Sequence, residues 1–428
     1  MRPVGYSLTS TRGILCLGGA RLVDIASKYG TPTYVTDEKR IRDNYRRFVS
    51  AFSSRWLRFK AFYALKANSN LSIISMLRQE GAGADCSCVQ ELQLACLAKF
   101  DLADMLYTAA YNSDQELKFA SQLGVTVNLD DVGLLGRLAK FGLPKRLSFR
   151  INPGFGKAAF DAILCAGPGS KFGISEGVAK KAYAKARRMG VERFGIHMMA
   201  GSCVLDERYF GRVTDKLFEI ADSVAKSAGV ELEFVDIGGG FGIPYRPEEK
   251  PLDLQKIAKA VTDRFKCRFE SMSTSPYLYA EPGRYLVADS TVLLTRVNAM
   301  KQSGRLKFVG VDAGMNSLVR PAMYGAYHEI VLASRAAKGR KEKISIVGPI
   351  CENGDILAKD RMMPVLKEGD LLAVLDAGAY GYSMSSNYNS RPRPAEVIIH
   401  NGEDFLVRER ENLSDLLDRQ RVPGRLLK

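Results

Sequence analysis

The chain reads as an α/β protein, a (β/α)8 barrel followed by a mainly β carboxy-terminal domain of sandwich or barrel-like kind. Three observations carry that reading. Between residues 58 and 285 eight short apolar segments alternate with amphipathic helical stretches, the pattern of strand-then-helix repeats that close a barrel. Glycines stand where helices should stop before the next strand, and beyond residue 285 helical spacing gives way to strand-like runs and turns. At 428 residues, 46% apolar and 25% charged, the chain exceeds one ordinary domain and has ample core material. Two domains are expected: residues 31–285 for the barrel, and residues 1–30 plus 286–428 for the β domain.

The barrel strands are expected at 59–66, 83–88, 105–111, 125–129, 147–152, 194–200, 232–237 and 277–281. Each is apolar along its length, as a parallel strand buried on both faces should be. Between them, Leu254, Ile257, Ala258, Val261 and Phe265 share one helical face, as do Phe210, Val213, Leu217, Ala221 and Val224 within 205–228. Gly124, Gly142, Gly190 and Gly229 mark helix ends. In the β domain the strands fall at 291–297, 306–311, 342–347, 370–375, 395–399 and 404–408. An early apolar run, Ile14–Leu17, comes before the barrel and is expected to pair with the β domain.

Several classes of function are excluded by composition. No apolar run is long enough to span a bilayer, and Met1-Arg2-Pro3-Val4-Gly5-Tyr6 lacks the apolar core of a signal peptide, so a cytoplasmic protein without a membrane partner is expected. The eight cysteines are scattered; Cys86 and Cys88 are too closely spaced for a zinc knuckle and have no matching second pair. Free thiols, mostly buried, and no metal site follow. The net charge of +15 raises a nucleic-acid partner, but Lys180, Lys181, Lys185, Arg187 and Arg188 sit on a helix face and Lys338–Lys343 is a short run. Solvated surface fits better than a phosphate-binding stripe.

In such a barrel the reactive groups lie at the carboxyl ends of the strands. Those ends offer Lys66, then Asp85 and Ser87, Arg150 and Asn152, His197 to Ser202, Gly238 to Gly240, and Glu281 to Arg284. A partly desolvated lysine amine can form a Schiff base with an aldehyde; Lys66 is equally a solvated lysine at a strand end on its local sequence alone. The glycine triplet lets backbone N–H groups approach an anion without an intervening Cβ, or it is a tight turn with no ligand. In Glu281-Pro282-Gly283-Arg284 a carboxylate can keep a pyridine nitrogen protonated and a guanidinium can take a carboxylate or phosphate, or the two form an ion pair at the rim.

The motifs YALKAN (63–68), GADCSCVQEL (83–92), RINPGFG (150–156), SKFGI (170–174), GIHMMAGS (195–202), DIGGGFGIPY (236–245) and EPGR (281–284) occur in order. They are followed by VDAGMNSLVRPAMYGAYH (311–328), GPICENGD (348–355) and GAYGYSMSSNYNSRPRPAEV (378–397). From about residue 30 to 410 the chain resembles the fold-type III pyridoxal-phosphate-dependent decarboxylases, and within them the branch acting on meso-2,6-diaminopimelate. The resemblance implies pyridoxal 5′-phosphate as cofactor, with Lys66 as the Schiff-base lysine, Asp85 and His197 beside it, and Glu281 on the pyridine nitrogen. Ser202, Gly238, Gly239, Gly240 and Tyr388 would hold the phosphate. Arg284, Arg320 and Tyr324 would grip a substrate carboxylate, with Tyr380 also lining the site.

The resemblance further implies a head-to-tail homodimer with shared active sites. Cys351 would reach into the other subunit as proton donor and Glu352 as reader of the substrate's amino end. On its own sequence Cys351 also fits a buried small hydrophobe. The implied reaction is decarboxylation of meso-diaminopimelate to L-lysine. A decarboxylase of a related amino acid (a D-amino acid, ornithine or lysine, or a carrier-linked substrate) and a non-catalytic regulatory relative are the alternatives. Two places depart from the family: Met199 stands where members carry a histidine that stacks on the cofactor ring, and residues 157–165 are apolar where members carry histidine and threonine.

Overall fold

The computed structural model describes residues 8–270, 275–336 and 339–427. Lys338 and the first seven residues, named above in connection with charge and targeting, lie outside them. The described chain forms two compact units, Ile41–Val287 and the combination of Met1–Arg40 with Ala288–Lys428.

The first unit is a closed barrel of eight strands: β1 (Phe59–Ala64), β2 (Gly83–Cys86), β3 (Met105–Ala109), β4 (Thr126–Leu129), β5 (Arg146–Phe149), β6 (Arg193–His197), β7 (Leu232–Asp236) and β8 (Tyr277–Ala280). Neighbours pair in parallel, and β8 closes onto β1 through Leu278 opposite Phe59 and Ala280 opposite Ala61. The eight expected strands are all present, and most end a residue or more earlier than expected. That shift matters, because it moves Lys66 out of the strand and into a 3-10 turn, Leu65–Ala67.

The barrel interior is filled rather than hollow. Phe62, Leu106, Phe234 and Tyr279 form one buried cluster, with Phe234 stacked on Tyr279 at 4.7 Å between ring centres. Gly83 and Gly195 face these rings: a Cβ at either would lie 2.3 Å or less from an atom of Phe62 or Phe234. Outside the barrel, helix Glu207–Ala228 starts on Asp206, whose side chain accepts from the Arg208 amide, and stops at Gly229 in the left-handed region. Helix Leu254–Phe269 starts on Asp253, which accepts from the Gln255 and Lys256 amides. Their apolar faces are buried as the spacing predicts, so Leu217→Ala at a fully buried site should cost about 2–5 kcal/mol.

In the second unit a sheet runs in the spatial order Ile356–Pro364, Lys341–Val347, Leu306–Val311, Thr291–Ser303, Thr33–Asp37, Ala395–His400 and Glu403–Arg408. Leu371–Val374 joins it beside Thr291–Ser303 and carries Ile330–Leu332 on its other side. Strand Thr33–Asp37 lies within the span expected for the barrel, yet it pairs antiparallel with Thr291–Leu294 and parallel with Ala395–Ile399. The boundary therefore falls after Arg40. Ile14–Leu17 pairs with Leu8–Thr11 and Ala20–Arg21 in a small sheet of its own. It touches the larger fold through one backbone bond, Leu15 N to Ala333 O at 3.0 Å, and through Leu17 in the core with Val292 and Leu371.

All eight cysteines are free, but only Cys16, Cys86 and Cys203 are buried; Cys96, Cys267 and Cys351 are exposed. Many basic residues sit in ion pairs, such as Arg193 with Glu233 at 2.6 Å and Arg264 with Asp215 at 2.6 Å. Among the described residues no helix is long and apolar enough to cross a membrane.

Candidate active site

Within the barrel unit, Lys66 leaves its 3-10 turn toward the strand ends and its Nζ donates to Asp85 Oδ2 at 2.6 Å. Asp85 is the third residue of β2 and is fully buried. Burying a carboxylate is expensive unless it is paired. Burial, helped by the Glu281 charge, pushes Asp85 up to about 6 against the opposing pull of Lys66. The carboxyl is thus kept at a buried position by its contact with the Lys66 amine.

Glu281, directly after β8, is the centre of a buried network. His197 closes β6, and its Nε2 lies 3.2 Å from Glu281 Oε2 while its Nδ1 lies 2.8 Å from Asn128 Nδ2. Asn128, on β4, is oriented by Ser148 of β5, whose hydroxyl donates to Asn128 Oδ1 at 2.9 Å. The amide nitrogen therefore donates to Nδ1, which places the imidazole proton on Nε2 and aims it at Glu281. Asp236, the last residue of β7, completes the group: one polar atom from each of His197, Asp236 and Glu281 lies within 4.8 Å of the others.

Burial, then the neighbouring Glu281 charge, holds Asp236 well above the carboxylate range. Burial alone would push Glu281 up too, but His197, Lys66 and Arg150 outweigh it and bring its carboxyl down to about 2. Two carboxyls this close cannot both ionise, and the one with the cationic and N–H neighbours stays charged. Asp236 accepts the Gly238 amide at 2.8 Å and keeps the proton. A nitrogen and two carboxyls are a donor set that a small cation can use; here the His197 Nε2 is turned to Glu281 Oε2 and its Nδ1 to Asn128.

Gly238 to Gly240 follow β7. Gly238 and Gly240 have φ of +67° and +91°, and a Cβ would lie 2.6 Å from Met198 O and 2.7 Å from Gly201 O respectively. Close packing alone thus demands these glycines. The backbone also ties the turn to the end of the neighbouring strand β8, since the Glu281 amide donates to Gly238 O at 2.7 Å. The Gly239 amide donates to Met199 Sδ at 3.1 Å. A thioether is a weak acceptor, and an oxyanion would take that amide in preference.

Ser202 lies in a two-residue strand, Gly201–Ser202, paired with Lys157–Ala158. The apolar segment 157–165 is therefore anchored beside the glycine turn, although Leu164 is exposed and Ile163 only half-buried. Arg150 holds its end, donating to Cys165 O at 3.1 Å and stacking on Phe172. Arg284, buried at the start of a short helix, donates to the Tyr245 hydroxyl at 2.8 Å.

Can these residues hold pyridoxal phosphate? Glu281 Oε1 and Asp85 Oδ1 are buried and have no hydrogen-bond partner. A charged carboxylate oxygen with an open lone pair suits a ring N–H, an amine suits an aldehyde, and a glycine turn whose amide rests on sulfur suits a phosphate. The donor set fits the group.

In the β unit, Arg320 opens the short helix Arg320–Tyr324 and is buried. Cys351 and Glu352 are exposed on a loop, so the reading of Cys351 as a buried hydrophobe falls. That loop is clamped by Asp355, whose carboxylate accepts the Met315 amide at 2.5 Å and the Ile350 amide at 2.8 Å. Asn389 accepts the Cys351 amide at 2.7 Å and so links that loop to the segment of Tyr388, which is exposed. Tyr380 is half-buried with φ of +56°.

Several supporting residues were not singled out from the sequence: Asp236, Asn128, Tyr245, His328, Asp355 and Asn389. Two carried a signal, for an acid and an amide inside otherwise apolar parallel strands need buried partners.

A family profile described as the pyridoxal-dependent decarboxylase, pyridoxal binding domain matches residues 38–288. With that match and the relatives below, the chain belongs to the pyridoxal-phosphate-dependent decarboxylases of this fold. Within them it is similar to diaminopimelate decarboxylase of Methanothermobacter thermautotrophicus, 48% identical over 97% of this chain and 98% of that one. The enzyme of the same name from Archaeoglobus fulgidus is 40% identical over 98% of this chain and all of its own length. Among solved structures, diaminopimelate decarboxylase of M. jannaschii in co-complex with L-lysine superposes with a TM-score of 0.91 at 33% identity, covering 99% of each chain.

Proposed function

We propose that this chain is a carboxy-lyase that converts meso-2,6-diaminopimelate to L-lysine with pyridoxal 5′-phosphate, acting in the cytoplasm in lysine biosynthesis. The observation that carries the reading is the Lys66–Asp85 pair beside a buried, charged Glu281 whose second oxygen is open. Pyridoxal phosphate, when bound, supplies an electron-withdrawing ring that takes up the electron pair left at Cα when carbon dioxide departs.

The protein's part follows from its own groups. Lys66 offers the amine that anchors the aldehyde, and Asp85 holds that amine in place. Glu281 keeps its negative charge against burial, which favours a proton on a facing ring nitrogen. His197 and Asp236 direct hydrogen-bond donors at Glu281 and stop it from turning away. Ser202, the amides of Gly238, Gly239 and Gly240, and the Tyr388 hydroxyl serve the phosphate. Arg284, Arg320 and Tyr324 take the substrate carboxylate that is retained, and Tyr380 lines the site.

Loss of carbon dioxide breaks one C–C bond, and a proton must then be added at Cα. Cys351 supplies it, and Glu352 reads the amino end, both from the second subunit of a head-to-tail homodimer. Their exposure supports this assignment, since neither is used up in its own unit's core.

The deciding experiment is carbon dioxide release from meso-diaminopimelate, L- and D-lysine, and L- and D-ornithine. Diaminopimelate should be the best substrate by a wide margin. A higher kcat/KM for any of the other four would replace it with a related amino-acid decarboxylase. No release from any of them, together with no borohydride-sensitive visible absorbance, would point to a non-catalytic relative.

A further inference from the structure

The chain has three histidines. Two are buried: His197, which serves Glu281, and His328, which is 0% exposed and lies against a second buried charged group, Arg320. Arg320 Nη1 is 2.8 Å from His328 Nε2, and His328 Nδ1 is 2.8 Å from the Leu375 carbonyl oxygen. A guanidinium only donates and a carbonyl only accepts, so both ring positions are determined: Nδ1 carries the proton and Nε2 offers its lone pair. The ring sits where the backbone is fixed, because the Leu375 amide in turn donates to Glu329 O at 2.8 Å, and Ile330–Leu332 pairs with Leu372–Val374. Arg320 itself starts a helix of five residues, too short to stiffen a long side chain. The imidazole ties its guanidinium to the sheet.

We propose that His328 is a positioning residue for substrate recognition. It ties one arm of the Arg320 guanidinium to the sheet and so sets the direction from which the guanidinium meets the retained carboxylate of an amino-acid substrate. The proposal rests on the reading above in which Arg320 takes that carboxylate, and it adds the group that makes the arginine selective.

Two polar substitutions separate the contacts. His328→Gln places an oxygen near the Nε2 position and can still accept from Arg320. His328→Asn places an amide near Nδ1, keeps the bond to Leu375 and loses the acceptor for Arg320. With the holoenzyme, inhibition constants are measured for L-lysine, which has the carboxylate, and pentane-1,5-diamine, which has both amines and no carboxylate. His328→Asn should weaken L-lysine about 10-fold or more, the loss expected of a hydrogen bond to a charged group. KM for diaminopimelate should rise in step while kcat moves little, the diamine should be unaffected, and His328→Gln should recover most of the lysine affinity. Equal weakening of lysine and diamine, or Gln no better than Asn at unchanged melting temperature, would overturn the proposal. Arg320→Ala is the control for the underlying reading: if it leaves lysine affinity intact, the assignment of Arg320 is wrong; if it weakens lysine while His328→Asn does not, only the role of His328 fails.

Discussion

The two units treat their polar side chains in opposite ways. In the barrel, Asp85, His197, Asp236 and Glu281 are each 5% exposed or less and are held by one another and by strand-borne amides and hydroxyls. In the β unit, Cys351 and Glu352 are exposed on a loop and Tyr388 is exposed at the start of a 3-10 turn, in which Asn389 and Ser390 adopt φ of +56° and +55°. Left-handed backbone at a residue other than glycine costs about 1–2 kcal/mol and persists where the surroundings over-determine it. The barrel has a buried network that leaves one oxygen each of Glu281 and Asp85 open, suited to setting the charge of a cofactor. The β unit displays groups outward, suited to reading something that arrives.

That contrast predicts that barrel variants should lose the cofactor's signature, whereas β-unit variants should keep it and lose turnover. Lys66→Ala gives the largest effect. Removing a covalent anchor should lower kcat by roughly 10⁴-fold or more, and the borohydride-sensitive visible absorbance should vanish with it. Measurable turnover at a tenth of the wild-type rate would break the assignment. Glu281→Gln should retain that absorbance with an altered maximum and lower kcat by roughly 10²–10³-fold, the size seen when one electrostatic partner of a developing charge is lost.

Cys351→Ala tests the other half. A general acid contributes roughly 10²–10⁴-fold, and because an exposed thiol is readily replaced by water, the loss should sit near the low end. The absorbance spectrum of the resting enzyme should match wild type, and solvent deuterium should slow the variant more than the native protein. A variant that also loses the cofactor would show that the loop from Cys351 to Asp355 shapes the barrel site as well.

The same contrast explains what could be read from the sequence. The eight strands were legible because each is a run of apolar residues buried on both faces, and the polar groups at the strand ends could be named without any knowledge of packing. Strand Ile356–Pro364 escaped notice because it is an edge strand whose middle, Lys359-Asp360-Arg361, is charged, with Lys359 and Asp360 exposed. Thr33–Asp37 escaped because a fully buried five-residue strand next to a helix looks like the start of a barrel repeat, and only pairing with residues over 250 positions away decides otherwise. Asp355 and Asn389 escaped for a simpler reason: each works by accepting a backbone amide, and no side-chain pattern announces that.

A stability measurement on the apoprotein sharpens the account of the barrel network. Asp236 is raised above its ordinary value of 3.8 by burial and the Glu281 charge. Its proton is kept in the folded state, so the stabilisation linked to it is fully present below that value and is lost as pH rises through the folded one. Asp236→Asn keeps an acceptor for the Gly238 amide and a donor toward Glu281 with no proton to lose. The melting temperatures of variant and native protein should be close near pH 4, with the variant gaining as pH rises from there toward the raised folded-state value. Parallel curves would mean that the proton resides elsewhere in the cluster.

The smallest effect is expected at Met199, where the chain departs from its family. Its sulfur accepts the Gly239 amide at 3.1 Å, so the side chain lies along the very turn assigned to the phosphate. A thioether contributes contact and water exclusion there but little hydrogen-bond energy. Met199→His gives up that weak bond and restores an aromatic face, two changes that offset each other. Cofactor affinity should stay within about 5-fold of native, since the exchange involves at most about 1 kcal/mol, and the visible spectrum should shift only slightly. Loss of the cofactor in this variant would place Met199 among the groups that hold the glycine turn in shape. The departure would then be a rebuilt wall of the cofactor site, matched to the apolar segment whose Cys165 thiol lies 3.5 Å from Met199 O, and not a tolerated substitution.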